Sequence, residues 1–168
     1  MNRNNVKRCI RIIIGRYSPN DYVYLGRKIN GGIKQFFLKY KSKCIKKCFS
    51  LEISNFDNIG ENLVLAHGSG ITVNDRAKIG RNCVIFKNAT IGSVRSGRRA
   101  GVPIIGDNCV IGVGAFVCGG IHIGNNVLIC ANSFVDFDVP DNSIVIGNPE
   151  IIHYKKDATK DYMGIDGD

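Results

Sequence analysis

A coil of short parallel strands wound into a prism, preceded by a basic helical leader, is the fold that this sequence predicts. Three observations predict it. First, aliphatic residues recur every sixth position: Ile53, Ile59, Leu65 and Ile71, then Ile79, Ile85 and Ile91, then Ile105, Ile111, Val117, Ile123, Ile129 and Val135. Second, glycine often follows the aliphatic residue (Gly60, Gly80, Gly92, Gly106, Gly112, Gly124), and asparagine recurs two positions later at Asn62, Asn82, Asn108 and Asn126. Third, neither helical spacing of three and four nor simple alternation accounts for this run. A sustained short period signals a solenoid. Glycine and asparagine tolerate the positive φ that its tight turns need.

The leader, residues 1–50, lacks the period. Ser18-Pro19-Asn20-Asp21 and Asn30-Gly31-Gly32 read as breakers, and 22–29 and 33–49 read as helices. In the second helix Ile33, Phe36, Phe37, Tyr40, Cys44, Ile45 and Cys48 form an apolar stripe, with lysines filling much of the remainder. The stripe is expected to dock on the coil or on a neighbouring subunit. A basic amphipathic helix also suits peripheral contact with an anionic membrane.

The body follows as residues 51–150, and a tail as 151–168. Two phase breaks interrupt the body. The step from Ile71 to Ile79 is eight and implies a small bulge at 73–78; the step from Ile91 to Ile105 is fourteen and holds a looped insertion at 93–104. That loop carries Arg95, Arg98 and Arg99. Insertions into a regular scaffold tend to carry function. The arginines are therefore candidates for holding an anionic acceptor.

Charge divides the chain. Residues 1–50 hold thirteen Lys and Arg against one acid, while residues 51–168 hold ten against thirteen acids. A mildly acidic body with a basic arm excludes a uniform nucleic-acid coat, and no nucleic-acid partner is expected. The seven cysteines are odd in number and include no CxxC pair, so they read as reduced, small apolar fillers. With no secretory signal visible, a cytoplasmic location is expected, at most peripheral at the inner membrane face. His67, His122 and His153 lack convergent metal-ligand spacing, so no metal is expected.

Residues 51–150 resemble the hexapeptide-repeat acyltransferases, whose fold is a left-handed parallel β-helix. Glu52-Ile53-Ser54, Ile59-Gly60 and His67-Gly68-Ser69-Gly70-Ile71 resemble the serine acetyltransferase branch, and more closely the polysaccharide O-acetyltransferases of colanic-acid and capsule type. The resemblance implies a homotrimer with sites between subunits and acetyl-CoA as co-substrate. It implies His67 as general base, and Glu52, fifteen positions earlier, as the carboxylate that orients it. Gly114 and Ala131 would line the pantetheine groove, and Lys155 and Lys156 would meet a coenzyme phosphate. At three hexapeptides per turn the repeats make a little over four turns.

The resemblance leaves the acceptor open. Serine acetyltransferases place Asp immediately before the catalytic histidine, where this chain has Ala66. They carry Arg-His-Pro in the inserted loop, where this chain has Gly101-Val102-Pro103. Both departures favour a sugar hydroxyl of a surface polysaccharide or its precursor. Serine O-acetylation and amino-sugar N-acetylation are the alternatives within the fold. A non-catalytic trimeric scaffold with a basic binding arm is the alternative of another class.

Overall fold

A computed structural model describes residues 19–21, 23, 34–53 and 55–148, with side chains in the leader helix described from residue 42 onward. Helix α1 spans Lys34–Phe49. It contains neither glycine nor proline and is rich in lysine, a good helix former. It ends where Ser50 adopts φ 51° and the Leu51 N–H donates to the Lys46 carbonyl at 3.0 Å. A left-handed residue with a backward bond of this kind closes many helices. Ile45 and Leu51 are fully buried, so the helix end is sealed onto the first turn of the coil.

Among the described residues thirteen short strands follow: β1(Glu52–Ile53), β2(Val64–Ala66), β3(Thr72–Val73), β4(Lys78–Ile79), β5(Val84–Phe86), β6(Thr90–Gly92), β7(Ile104–Ile105), β8(Val110–Ile111), β9(Phe116–Cys118), β10(His122–Ile123), β11(Leu128–Ile129), β12(Phe134–Val135) and β13(Ile144–Val145). They form three parallel sheets. Sheet A runs β1-β3-β6-β9-β12, sheet B runs β10-β7-β4, and sheet C runs β13-β11-β8-β5-β2. The bridges of Ile59 to Ile79 and of Ile123 to Val139 extend sheet B at both ends. The chain passes from wall A to B to C and climbs by one strand spacing per turn.

Two residues per strand suffice because one points in and the next points out. The inward rows are Ile53, Val73, Ile91, Val117 and Val135 on wall A; Ile59, Ile79, Ile105, Ile123 and Val139 on wall B; and Leu65, Ile85, Ile111, Ile129 and Val145 on wall C. Five turns are thus present among the described residues, rather than a little over four. The last turn is tightened by the short step from Val135 to Val139, which takes Val139 and Val145 out of phase with the period of six.

The glycines after wall B are required by packing. A Cβ on Gly80 would lie 2.5 Å from the Gly106 backbone, and one on Gly106 would lie 2.7 Å from the Gly124 carbonyl oxygen. Asn62, Asn82, Asn108, Asn126 and Asn142 all have φ near 57° at the next corner. Cys83 and Cys109 fill the buried column beside them, with thiols donating to the Gly106 and Gly124 carbonyls. The close Cys109 sulfur and burial push the Cys83 thiol up. Burial likewise raises Cys118.

Two expectations change. The extra residues of the eight-residue step do not lie at 73–78, since Val73 to Ile79 keeps the period. They lie between Leu65 and Val73, at the corner that contains His67. Ile71 is buried there, but as a corner residue preceding β3. Residues 19–21, read as a breaker, are helical, as is Val23. Tertiary docking overrides local preference: Asp21 and Val23 are buried, and Asn20 Oδ1 accepts the Leu65 N–H at 2.6 Å. The remainder of 22–29 lies outside the described residues. Of the apolar stripe, Ile45 docks as expected, but Cys48 is exposed.

Candidate functional site

The three edges of the prism differ. The B–C edge is a ladder of asparagines, in which Asn62 donates to Asn82 at 2.9 Å and Asn126 to Asn142 at 2.8 Å. Beside it, Arg81 pairs with Asp107 at 2.7 Å. The A–B edge carries the inserted loop. The C–A edge carries His67.

His67 follows β2 with φ 49°, a left-handed conformation uncommon for a residue with a side chain. Its imidazole is on the exposed surface, while Gly68 is buried beneath it. A Cβ on Gly68 would meet Pro19 Cβ at 2.6 Å and Leu65 Cβ at 2.8 Å, so only glycine fits there. Gly70, with φ 64°, donates its N–H to the Phe49 carbonyl at 2.9 Å. The enlarged corner is thereby tied to the end of α1, and His67 is presented on a backbone braced from two sides.

Glu52 lies on the outer side of β1, in the first turn of wall A, and pairs in register with Thr72. Its carboxylate accepts from Thr72 Oγ1 at 3.5 Å. Among the described residues no hydrogen bond or ion pair joins Glu52 to His67; the two occupy the same end of the coil. Gly114, with φ 65°, and Ala131 lie on the His67 edge, at the corners that follow β8 and β11. Strand spacing puts them two and three turns along, about 10 and about 14 Å away. The chain therefore lines up His67, Gly114 and Ala131 along one edge. Small residues there leave the backbone open to an extended ligand.

The arginine loop is elsewhere. Val94 and Gly101 pair as a small antiparallel hairpin, and the loop leans on the turn below, where the Gly120 N–H donates to the Arg99 carbonyl at 2.8 Å. Arg99 lies 3.7 Å from Asp138, and Arg95 and Arg98 are exposed. Within one chain the loop and His67 are on opposite edges of wall A. His122 points outward from wall B, and its backbone N–H donates to Asp138. Lys155, Lys156 and His153 lie outside the described residues.

Sequence reasoning missed an open groove of about 550 Å³ at the base of α1, lined by Lys43, Lys46, Lys47, Ser50, Leu51 and Glu52. The spacing of the lysines was the available signal, since positions three and four apart share a helix face.

The hexapeptide repeat of succinyl-transferase family matches residues 102–136. Serine acetyltransferase of Synechococcus elongatus is 35% identical over 113 residues, which cover 66% of this chain and 46% of the relative. Serine acetyltransferase of Staphylococcus aureus is 40% identical over 99 residues, or 59% of this chain and 46% of the relative. Among solved structures, serine acetyltransferase isoform 3 of Entamoeba histolytica in complex with cysteine aligns with TM-score 0.62 and 29% identity, over 84% of this chain and 52% of that one. The Neisseria gonorrhoeae serine acetyltransferase in complex with serine aligns with TM-score 0.61 and 27% identity, over 78% and 54%. Repeat, fold and matches agree on a left-handed parallel β-helix wound from hexapeptide repeats. It spans about half the length of the curated relatives it matches. The expected closeness to polysaccharide O-acetyltransferases finds no support in these matches.

Proposed function

We propose that the protein is an O-acetyltransferase that moves an acetyl group from acetyl-CoA to the hydroxyl of a small acceptor. The observation that carries this reading is the edge that aligns His67 with Gly114 and Ala131. A hydroxyl at neutral pH attacks a thioester poorly, because it holds its proton far too tightly. A neutral imidazole can accept that proton as the C–O bond forms. The imidazolium then returns it to the departing thiolate. Glu52 supplies the nearby carboxylate that favours the imidazolium, in the manner of a catalytic triad. Backbone N–H groups of the glycine-rich corner are available to the tetrahedral oxyanion.

The names of the relatives make serine the first acceptor to test. Ala66 supports a second reading, in which a sugar hydroxyl is the acceptor, because alanine offers no carboxylate to an amino group. A homotrimer is part of the proposal. A three-fold ring needs two different, complementary faces on each copy. Wall C presents Val64, Val84, Val110, Leu128 and Ile144 outward, and wall A presents the stacked pair Phe116 and Phe134 with ring centroids 5.8 Å apart. Wall B instead presents Lys78, Ile104, His122 and Asp138. Walls A and C share the His67 edge, so their contact in a ring sets His67 in a cleft between copies.

Release of free CoA thiol, followed with serine and with a panel of sugars, tests the reading. His67→Ala is expected to lower kcat at least ~100-fold. Glu52→Gln is expected to lower kcat with little change in the KM for acetyl-CoA. Equal rates in wild type and His67→Ala defeat the mechanism.

A further inference from the structure

We infer that the groove at the base of α1 binds the anionic group, phosphate or carboxylate, of a sugar-sized acceptor. This inference rests on the acetyl-transfer reading and extends it. Lys43, Lys46 and Lys47 are spaced i, i+3 and i+4, so their ammonium groups crowd one face of the helix. Like charges at that spacing destabilise a helix. The helix dipole accounts for Lys46 and Lys47 in the last turn, but its effect fades before Lys43. Among the described residues no carboxylate forms an ion pair with any of the three. Among the described residues the single acidic one lining the groove is Glu52. Three cations facing one carboxylate across about 550 Å³ leave a surplus positive charge that an anion would neutralise.

Position connects this groove to the chemistry. Ser50 lines it and follows Phe49, whose carbonyl holds Gly70 of the His67 corner. Glu52 lines it while also facing Thr72. The Leu51 N–H bond to Lys46 fixes the helix end to the first turn, so the lysines keep a set distance from His67. The volume lies in the range of small-ligand sites and exceeds what a single amino acid fills. An acceptor anchored by its anionic group among the lysines would present its hydroxyl toward the His67 edge. The inserted arginines lie on the opposite edge of wall A within one chain, where Arg99 stands 3.7 Å from Asp138.

Titration calorimetry on the full chain tests the inference, with glucose 1-phosphate as probe and glucose and serine as comparisons. Glucose 1-phosphate is expected to bind, to bind more weakly in high salt, and to lose about tenfold in affinity in the triple variant Lys43→Gln, Lys46→Gln, Lys47→Gln. Glutamine keeps the helical preference of lysine, and an unchanged circular dichroism melt confirms that the variant folds. His67→Ala is expected to retain full probe affinity. If His67→Ala also retains acetyl transfer, the catalytic reading falls and the groove stands. Equal affinity in the triple variant, equal binding of glucose, tighter binding of serine, or no binding of the phosphate overturns the inference. Lysine-dependent binding to phosphatidylglycerol vesicles without glucose 1-phosphate binding also overturns it, in favour of a membrane surface.

Discussion

Asp107 shows how a single residue joins two turns. Its Oδ1 accepts the Arg81 backbone N–H at 2.7 Å, and its Oδ2 accepts the Arg81 side chain. These bonds favour the ionised form and hold its carboxyl below the ordinary carboxylate range, with the backbone bond the largest cause. A group whose folded pKa is depressed stabilises the protein above its unfolded pKa, and that contribution is lost as pH falls through the folded value. Asp107→Asn is therefore expected to lower Tm at pH 7 and to flatten its fall in acid, so that the two Tm curves converge at low pH. A thermal melt series from pH 7 to 2 checks this; parallel curves would refute it. At His67 the lesson is different. The residue was recognisable from the local motif, but its positive φ and bracing by Pro19 and Phe49 were not, because both depend on chain far away in sequence.

At the scale of elements, the strands are held by stacking more than by their length. Two-residue strands have little pairing of their own, so each turn depends on close approach to the next. Gly80 is a direct test, because a methyl group there meets backbone that has no room to yield. Gly80→Ala is expected to cost about 3 kcal/mol, measurable by urea unfolding. A loss within error of zero would show that the turns can part without penalty. The period of six placed most inward residues correctly. It misplaced the bulge because Ile71 satisfies the period while standing at a corner, and only the pairing of Val73 with Ile53 reveals which residue lies in the wall. The helix from 34 to 49 was legible, since nothing in it breaks a helix and Ser50 ends it.

At the scale of the molecule, the difference between walls predicts assembly. Leu128→Glu sets a charge within the aliphatic outer row of wall C and is expected to yield a folded monomer near 18.4 kDa by sedimentation, whereas wild type is expected to sediment as the proposed trimer. Lys78→Glu on wall B is the control and is expected to remain trimeric. A wild-type monomer would remove the cleft and the proposed setting of His67 with it.

The sequence by itself determined the coil, its core rows, its turn residues and the candidate His67, because each follows from a period or motif read along a short stretch of chain. It also marked the loop at 93–104 as an interruption. Only the tertiary structure decided which residues share an edge. Turns of unequal length bring His67, Gly114 and Ala131 into line and leave the arginine loop on the opposite edge. It also brought the lysines of α1 beside Glu52. Such neighbours are set by the winding of the chain, and the accumulated length of every intervening turn determines them.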